Sequence, residues 1–200
     1  MDTPLPARDL IRSIVDRDLA PGLKRAGFKK SGFTFTRRVG STGQFLQIQL
    51  SRWNQGGAGL FYVNVGVMFD QMRTGHVPAP VHPRYDDCQF MVRLEQLVPG
   101  APPHWSVDGN TRVQDVSALL TTHVLHQVVE PLNGISSLAD FEGTGWVTAI
   151  PWGFPAQYAY ALHRDSEVEA LLASQAAYFA DRGVTRESLI QNYGFTRLQR

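Results

Sequence analysis

Between Phe45 and Phe69, apolar residues fall at every second position on two runs. Leu46, Ile48 and Leu50 mark the first run, and Phe61, Val63, Val65 and Val67 mark the second. A period of two belongs to a β-strand with one face in a core, because successive side chains leave opposite faces of the pleat. The loop Gln55-Gly56-Gly57-Ala58-Gly59 between the runs supplies the positive φ angles of a tight reversal. Two antiparallel strands, Phe45 to Trp53 and Leu60 to Phe69, therefore anchor the reading of the whole chain.

The flanking segments extend this pair into a meander. Phe28 to Lys30 and Phe33 to Arg38 enclose Ser31-Gly32, a short hairpin signal, and Asp87 to Leu94 supplies a fifth strand. Arg73 to Arg84, rich in Pro and Gly, reads as a loop, and His104 to Val107 as a brief extended piece. Ahead of the sheet, Leu10, Ile11, Ile14, Val15, Leu19 and Leu23 form one stripe of a helix from about Leu5 to Ala26. Pro21 is expected to kink that helix or start a second one, and Gly27 to stop it.

Behind the sheet, Thr111 with Gln114 fits a capping box for a helix reaching about Glu130, ended by Pro131 and Gly134. Its buried stripe is Val113, Val116, Leu120, Val124 and Val128. Ala156 to Arg164, Glu167 to Arg182 and Arg186 to Tyr193 form a helical tail, with Ser166 and Glu169 capping the second piece and Gly183 closing it. The expected fold is α+β, a single domain over 1–200. It has an antiparallel sheet of about five strands within 27–107, an N-terminal helix, and a central helix and C-terminal helical tail within 111–200.

Composition narrows the function classes. With 43% hydrophobic and 18% charged residues, a chain of 200 buries a core without disulfide or metal. A net charge of +1 exerts no whole-chain pull on nucleic acid or anionic membrane. Cys88 is the lone cysteine, which excludes an internal disulfide and a Cys-based zinc cluster. No apolar signal segment follows Met1, and the longest apolar run, Gly59 to Phe69, is interrupted by Asn64 and is about half of a spanning helix. A cytoplasmic protein with no membrane partner is the expectation.

Several blocks are similar to a known family. They include Leu19 to Lys30, Phe33 to Arg38, Gln49-Leu50-Ser51-Arg52-Trp53-Asn54 and Phe61 to Val67. Cys88, Arg93-Leu94, Leu97-Val98-Pro99, Trp105 and Val129-Glu130-Pro131-Leu132 follow in the same order. Over about residues 10 to 140 the chain resembles the domain-of-unknown-function family catalogued as number 4304. The resemblance implies an α+β fold and no particular activity.

Chemistry has few places to sit. On the sheet face opposite the core, Gln47, Gln49 and Ser51 stand beside Tyr62 and Asn64, with Gly66 leaving space. Thr34, Thr36 and Arg38 extend this face on one side, and Gln89, Met91 and Arg93 on the other. Arg38, Gln49, Ser51, Tyr62, Asn64 and Arg93 are thus the candidate ligand-binding residues. Amides and hydroxyls would hold a small polar ligand or a protein partner, and an Arg would neutralise a carboxylate or phosphate. A solvated outer sheet face looks the same at this level. No nucleophile–base pair accompanies these residues, so binding without catalysis leads.

His123, His126 and Glu130 are the competing constellation. Their directions on a helix fall within about 60° of one another, which suits an open metal site and a metal-dependent hydrolase. Their spacing lacks the His-Glu-x-x-His signature. Arg37, Arg38, Arg52 and Trp53 suggest a third possibility, an RNA-binding module, against which the near-zero charge weighs. Cys88 follows Asp86-Asp87, neighbours that disfavour a thiolate. No cofactor is expected, since Gly56-Gly57-Ala58-Gly59 joins two strands and lacks the Lys and helix of a phosphate loop.

Overall fold

The computed structural model describes residues 6–54, 56–73, 83–149 and 154–199. Leu5, Gln55 and the stretch 74–82 of the expected loop, His82 included, lie outside the described residues. The sheet is antiparallel, and five strands follow in meander order: β1 (Lys29–Ser31), β2 (Thr34–Val39), β3 (Thr42–Leu50), β4 (Gly59–Phe69) and β5 (Phe90–Arg93). A further strand, β6 (Trp105–Val107), pairs with β4 through Gly59↔Val107 and Phe61↔Trp105. β5 and β6 therefore lie end to end along one flank of β4. The extended piece at 104–107 belongs to the sheet, whereas Tyr85–Asp87 form a 3-10 turn ahead of β5.

Alternation sorts the faces as the sequence requires. The register Leu46↔Val65, Ile48↔Val63 and Leu50↔Phe61 puts these side chains on one side, where they meet both long helices. From the N-terminal helix (7–25) come Ile11, Ile14, Val15, Leu19 and Leu23, and from the central helix (113–133) come Leu120, Val124, Val128 and Leu132. Gly22 lets the two helices approach closely: a Cβ there would lie 2.3 Å from Leu125 Cδ1.

Neither helix is broken at its proline. Each contains a π-helical stretch, Val15–Leu19 or Thr122–Val129. After each stretch one amide bonds five residues back, Ala20 N–H to Val15 O and Glu130 N–H to Leu125 O. The next residue is Pro21 or Pro131. Proline lacks an N–H and its ring crowds the carbonyl four residues back. One wide turn ahead of the ring displaces that carbonyl and keeps the helix going. The central helix accordingly passes Pro131 and stops at Asn133, before Gly134.

Two expected caps are absent. Thr111 instead closes a turn, its hydroxyl accepting from Asp108 N–H at 2.8 Å and donating to Asp108 Oδ1 at 2.9 Å. The central helix begins at Val113, without a side-chain cap. Ser166 and Glu169 do not cap either: that helix starts at Asp165, and Glu169 pairs with Arg186. The tail comprises Pro155–Ala161, Asp165–Tyr178 and Arg186–Tyr193 around a second apolar cluster that includes Ala159, Leu172, Ile190 and Phe195. It touches the turn Asp70–Met72. Among the described residues no helix is long and apolar enough to cross a membrane.

Candidate functional site

The face of the sheet opposite the helices is built by the same parity that makes the core. Cross-strand pairs Thr34↔Gln47, Gln47↔Asn64, Gln49↔Tyr62 and Asn64↔Arg93 set one continuous row of polar side chains across β2 to β5. At its centre Asn64 is only 5% exposed. Its Nδ2 donates to Gln47 Oε1 at 3.1 Å and to Gln49 Oε1 at 2.9 Å. Both glutamine oxygens face inward as a result, and their NH2 groups point away from Asn64. Arg93 lies over the Tyr62 ring, 4.2 Å from its centroid, and His104 meets the same ring edge-on at 6.4 Å. Arg93 and Gln49 are exposed.

Two of the six candidates lie apart from this cluster. Arg38 pairs across the sheet with Gly43, four residues along β3 from Gln47, and its guanidinium is held by Asp70. Ser51 lies just past β3, and its hydroxyl accepts the Trp53 amide at 3.2 Å, so it shapes the turn. Gln49, Tyr62, Asn64 and Arg93 come together, joined by Gln47. Gln89 is engaged elsewhere, accepting the Phe69 amide at 2.8 Å. His104 could not be found from periodicity, because it precedes a three-residue strand whose partner is not evident from the chain.

Gly66 does leave space, but the chain itself fills it. A Cβ at Gly66 would lie 2.8 Å from Cys88 Sγ and 2.9 Å from Tyr85 Cδ2. Phe45, Met68 and Cys88 form a small apolar cluster there, flanked by Tyr85 and Met91. The middle of the second face is therefore covered by residues 85–88, and the polar cluster occupies one end.

Burial pushes the Cys88 thiol well above its ordinary value of 9.0, with Asp87 and Asp86 adding to the rise. Burial likewise pushes the Tyr85 phenol up to about 12. Groups with raised folded-state values contribute stability that is complete below the unfolded value and lost as pH rises through the folded one. Stability should thus decline above about pH 9, where an unfolded thiol ionises. A Cys88→Ala variant should show a shallower decline in urea unfolding between pH 8 and 10. Iodoacetamide at pH 8 should label the wild-type thiol only upon unfolding. Rapid labelling of folded protein would contradict this burial.

The remaining constellations separate. His123 is buried, its Nδ1 2.5 Å from Gln127 Oε1 and its ring edge-on to Trp105. His126 is exposed and holds Glu130 at 2.7 Å. Among the described residues no three His, Cys, Asp or Glu side chains are grouped to hold a metal. The four residues suggesting RNA contact divide too. Arg37 reaches the core side, donating to Gln44 and to the Ala26 carbonyl, while Arg38 leaves the other face. Arg52 stacks on the exposed Trp53 at 5.2 Å in the turn after β3. Asp86 and Asp87 sit in the 3-10 turn, where Asp87 accepts the Arg84 amide at 2.7 Å.

Comparison with known proteins adds one match. The model of a domain-of-unknown-function family, DUF4304, matches residues 19–134. Neither a curated protein nor a solved structure matches the chain.

Proposed function

The chain belongs to the DUF4304 family, a domain of unknown function, and we propose that it is a non-catalytic cytoplasmic protein that binds a polar ligand or partner peptide on the polar end of its sheet. One observation carries the reading. Asn64 gives both of its N–H groups to Gln47 and Gln49, orienting two amides on alternate positions of β3 before any ligand arrives. Pre-orientation removes part of the ordering cost of binding.

The groups left facing outward are mainly donors: two carboxamide NH2 groups and the Arg93 guanidinium. Carbonyl and carboxylate oxygens are their natural complement. Tyr62 and His104 add flat surface beside them. No nucleophile with an adjacent base accompanies the cluster among its described contacts, and the geometry supports holding a ligand over transforming one.

Side-chain amide resonances of the 15N-labelled protein test the proposal directly. Acidic and carbonyl-rich peptides are expected to shift the Gln47 and Gln49 NH2 signals. Asn64→Leu should weaken the same peptides about tenfold, the equivalent of about 1.4 kcal/mol. Peptides that leave those signals unmoved, or bind the variant equally well, would remove the basis of the proposal.

A further inference from the structure

Two clefts lie side by side over β2, next to the amide cluster. The first, of about 580 Å³, is lined by Ser31, Thr34, Thr36, Gln47, Arg84 and Tyr85 among others. The second, of about 480 Å³, includes Lys29, Thr36, Arg38, Phe45 and Pro83. Thr36 and Pro83 border both, so the clefts form one groove. Each volume falls within the range of small-molecule sites, roughly 300–1,000 Å³.

The floor of this groove is set by register. Lys29↔Thr36 and Ser31↔Thr34 are direct β1–β2 pairs, and Thr34↔Gln47 is a direct β2–β3 pair, so all five side chains share one face. The hydroxyls of Ser31, Thr34 and Thr36 have no hydrogen-bond partner among the described residues. Lys29 and Arg84 make no ion pair there, whereas Lys30, one residue on, is tied to Asp16 at 2.9 Å. Gln47 turns its NH2 group away from Asn64. Asp86 is the carboxylate in the lining, and Arg38 already holds Asp70. Positive charge and hydrogen-bond donors are therefore in excess. One wall is apolar, from Phe45, Pro83 and the Tyr85 ring.

We propose that this groove binds a small organic phosphate, with the phosphate beside Lys29 and Thr36 and the organic body along Gln47 and Tyr85. Phosphate has three acceptor oxygens to distribute among the Lys29 ammonium on β1, the Thr36 hydroxyl on β2 and the Arg84 guanidinium just ahead of the 3-10 turn, a match that a planar carboxylate makes less fully. The rigid strand floor presents the hydroxyls without a loop having to order. This site shares only Gln47 with the peptide-binding cluster and stands independently of it.

Titration calorimetry on the full chain separates the outcomes. The probes are a nucleoside monophosphate, a sugar phosphate, their dephosphorylated counterparts, inorganic phosphate and succinate. The expected result is that the two organic phosphates bind and their dephosphorylated forms do not. Lys29→Ala, at an exposed position, and Thr36→Val, at a half-buried one, should each weaken binding at least about tenfold. Tighter binding of succinate, equal binding of inorganic phosphate alone, indifference to both substitutions, or no binding at millimolar concentration would each overturn the proposal.

Discussion

Replacing Gln44 by Leu should lower the unfolding free energy by about 3 kcal/mol, although the two side chains are similar in size. Gln44 is fully buried on the core face of β3, opposite Val67. Its Nε2 donates to the carbonyls of Leu132 at 2.8 Å and Ile135 at 2.9 Å, where the central helix ends. Its Oε1 accepts from Arg37 Nε at 2.8 Å. Arg37 in turn donates to the Ala26 carbonyl at the end of the N-terminal helix and lies over Phe28, 4.4 Å from the ring centroid.

Partial burial of the guanidinium lowers the Arg37 pKa. Leucine would break three bonds, one of them charge-assisted, and leave two carbonyl acceptors and the Arg37 Nε donor without that partner. Ile135 O would keep the Thr42 hydroxyl at 3.2 Å, which limits the loss on that side. In urea the midpoint should fall with an unchanged slope. A loss below about 1 kcal/mol would show that water takes over the vacated positions.

Phe141→Ala should have a comparable or larger effect, about 3–5 kcal/mol. Phe141 is fully buried between Phe69, at 5.0 Å, and Phe90, at 4.8 Å, with Trp146 stacked on Phe90 at 6.1 Å. Truncation leaves a ring-sized void in a wall made by β4, β5 and the short helix Leu138–Glu142, which cannot collapse without moving the sheet. Phe141 also lies beyond the 19–134 stretch that matches the family. A large loss in chemical denaturation would establish that the segment after the match is part of the core. A loss well under about 2 kcal/mol would mean that it merely lies against it.

The period-two pattern was enough to sort the sheet. Leu46, Ile48, Val63 and Val65 on one side and Gln47, Gln49, Tyr62 and Asn64 on the other follow from the chain alone, because a strand offers its side chains only two directions. The helical stripe from Ile11 to Leu23 and the three tail helices were legible for the corresponding reason, with boundaries a few residues off. Thr111 misled because a hydroxyl serves a turn as readily as a helix end, and the choice depends on whether an Asp108 stands nearby; Ser166 misled because the helix begins one residue earlier, at Asp165.

What the amino-acid order determined by itself is therefore which side each residue takes and where the chain reverses, both consequences of local backbone geometry. Only the tertiary structure decided what stands opposite each side chain. It set Gln44 against the end of a distant helix, laid Tyr85 and Cys88 into the space over Gly66, buried His123 while leaving His126 in solvent, and aimed both Asn64 donors at neighbouring glutamines. Those pairings join residues up to ninety or so positions apart, and no periodicity in a strand or helix encodes its distant neighbour.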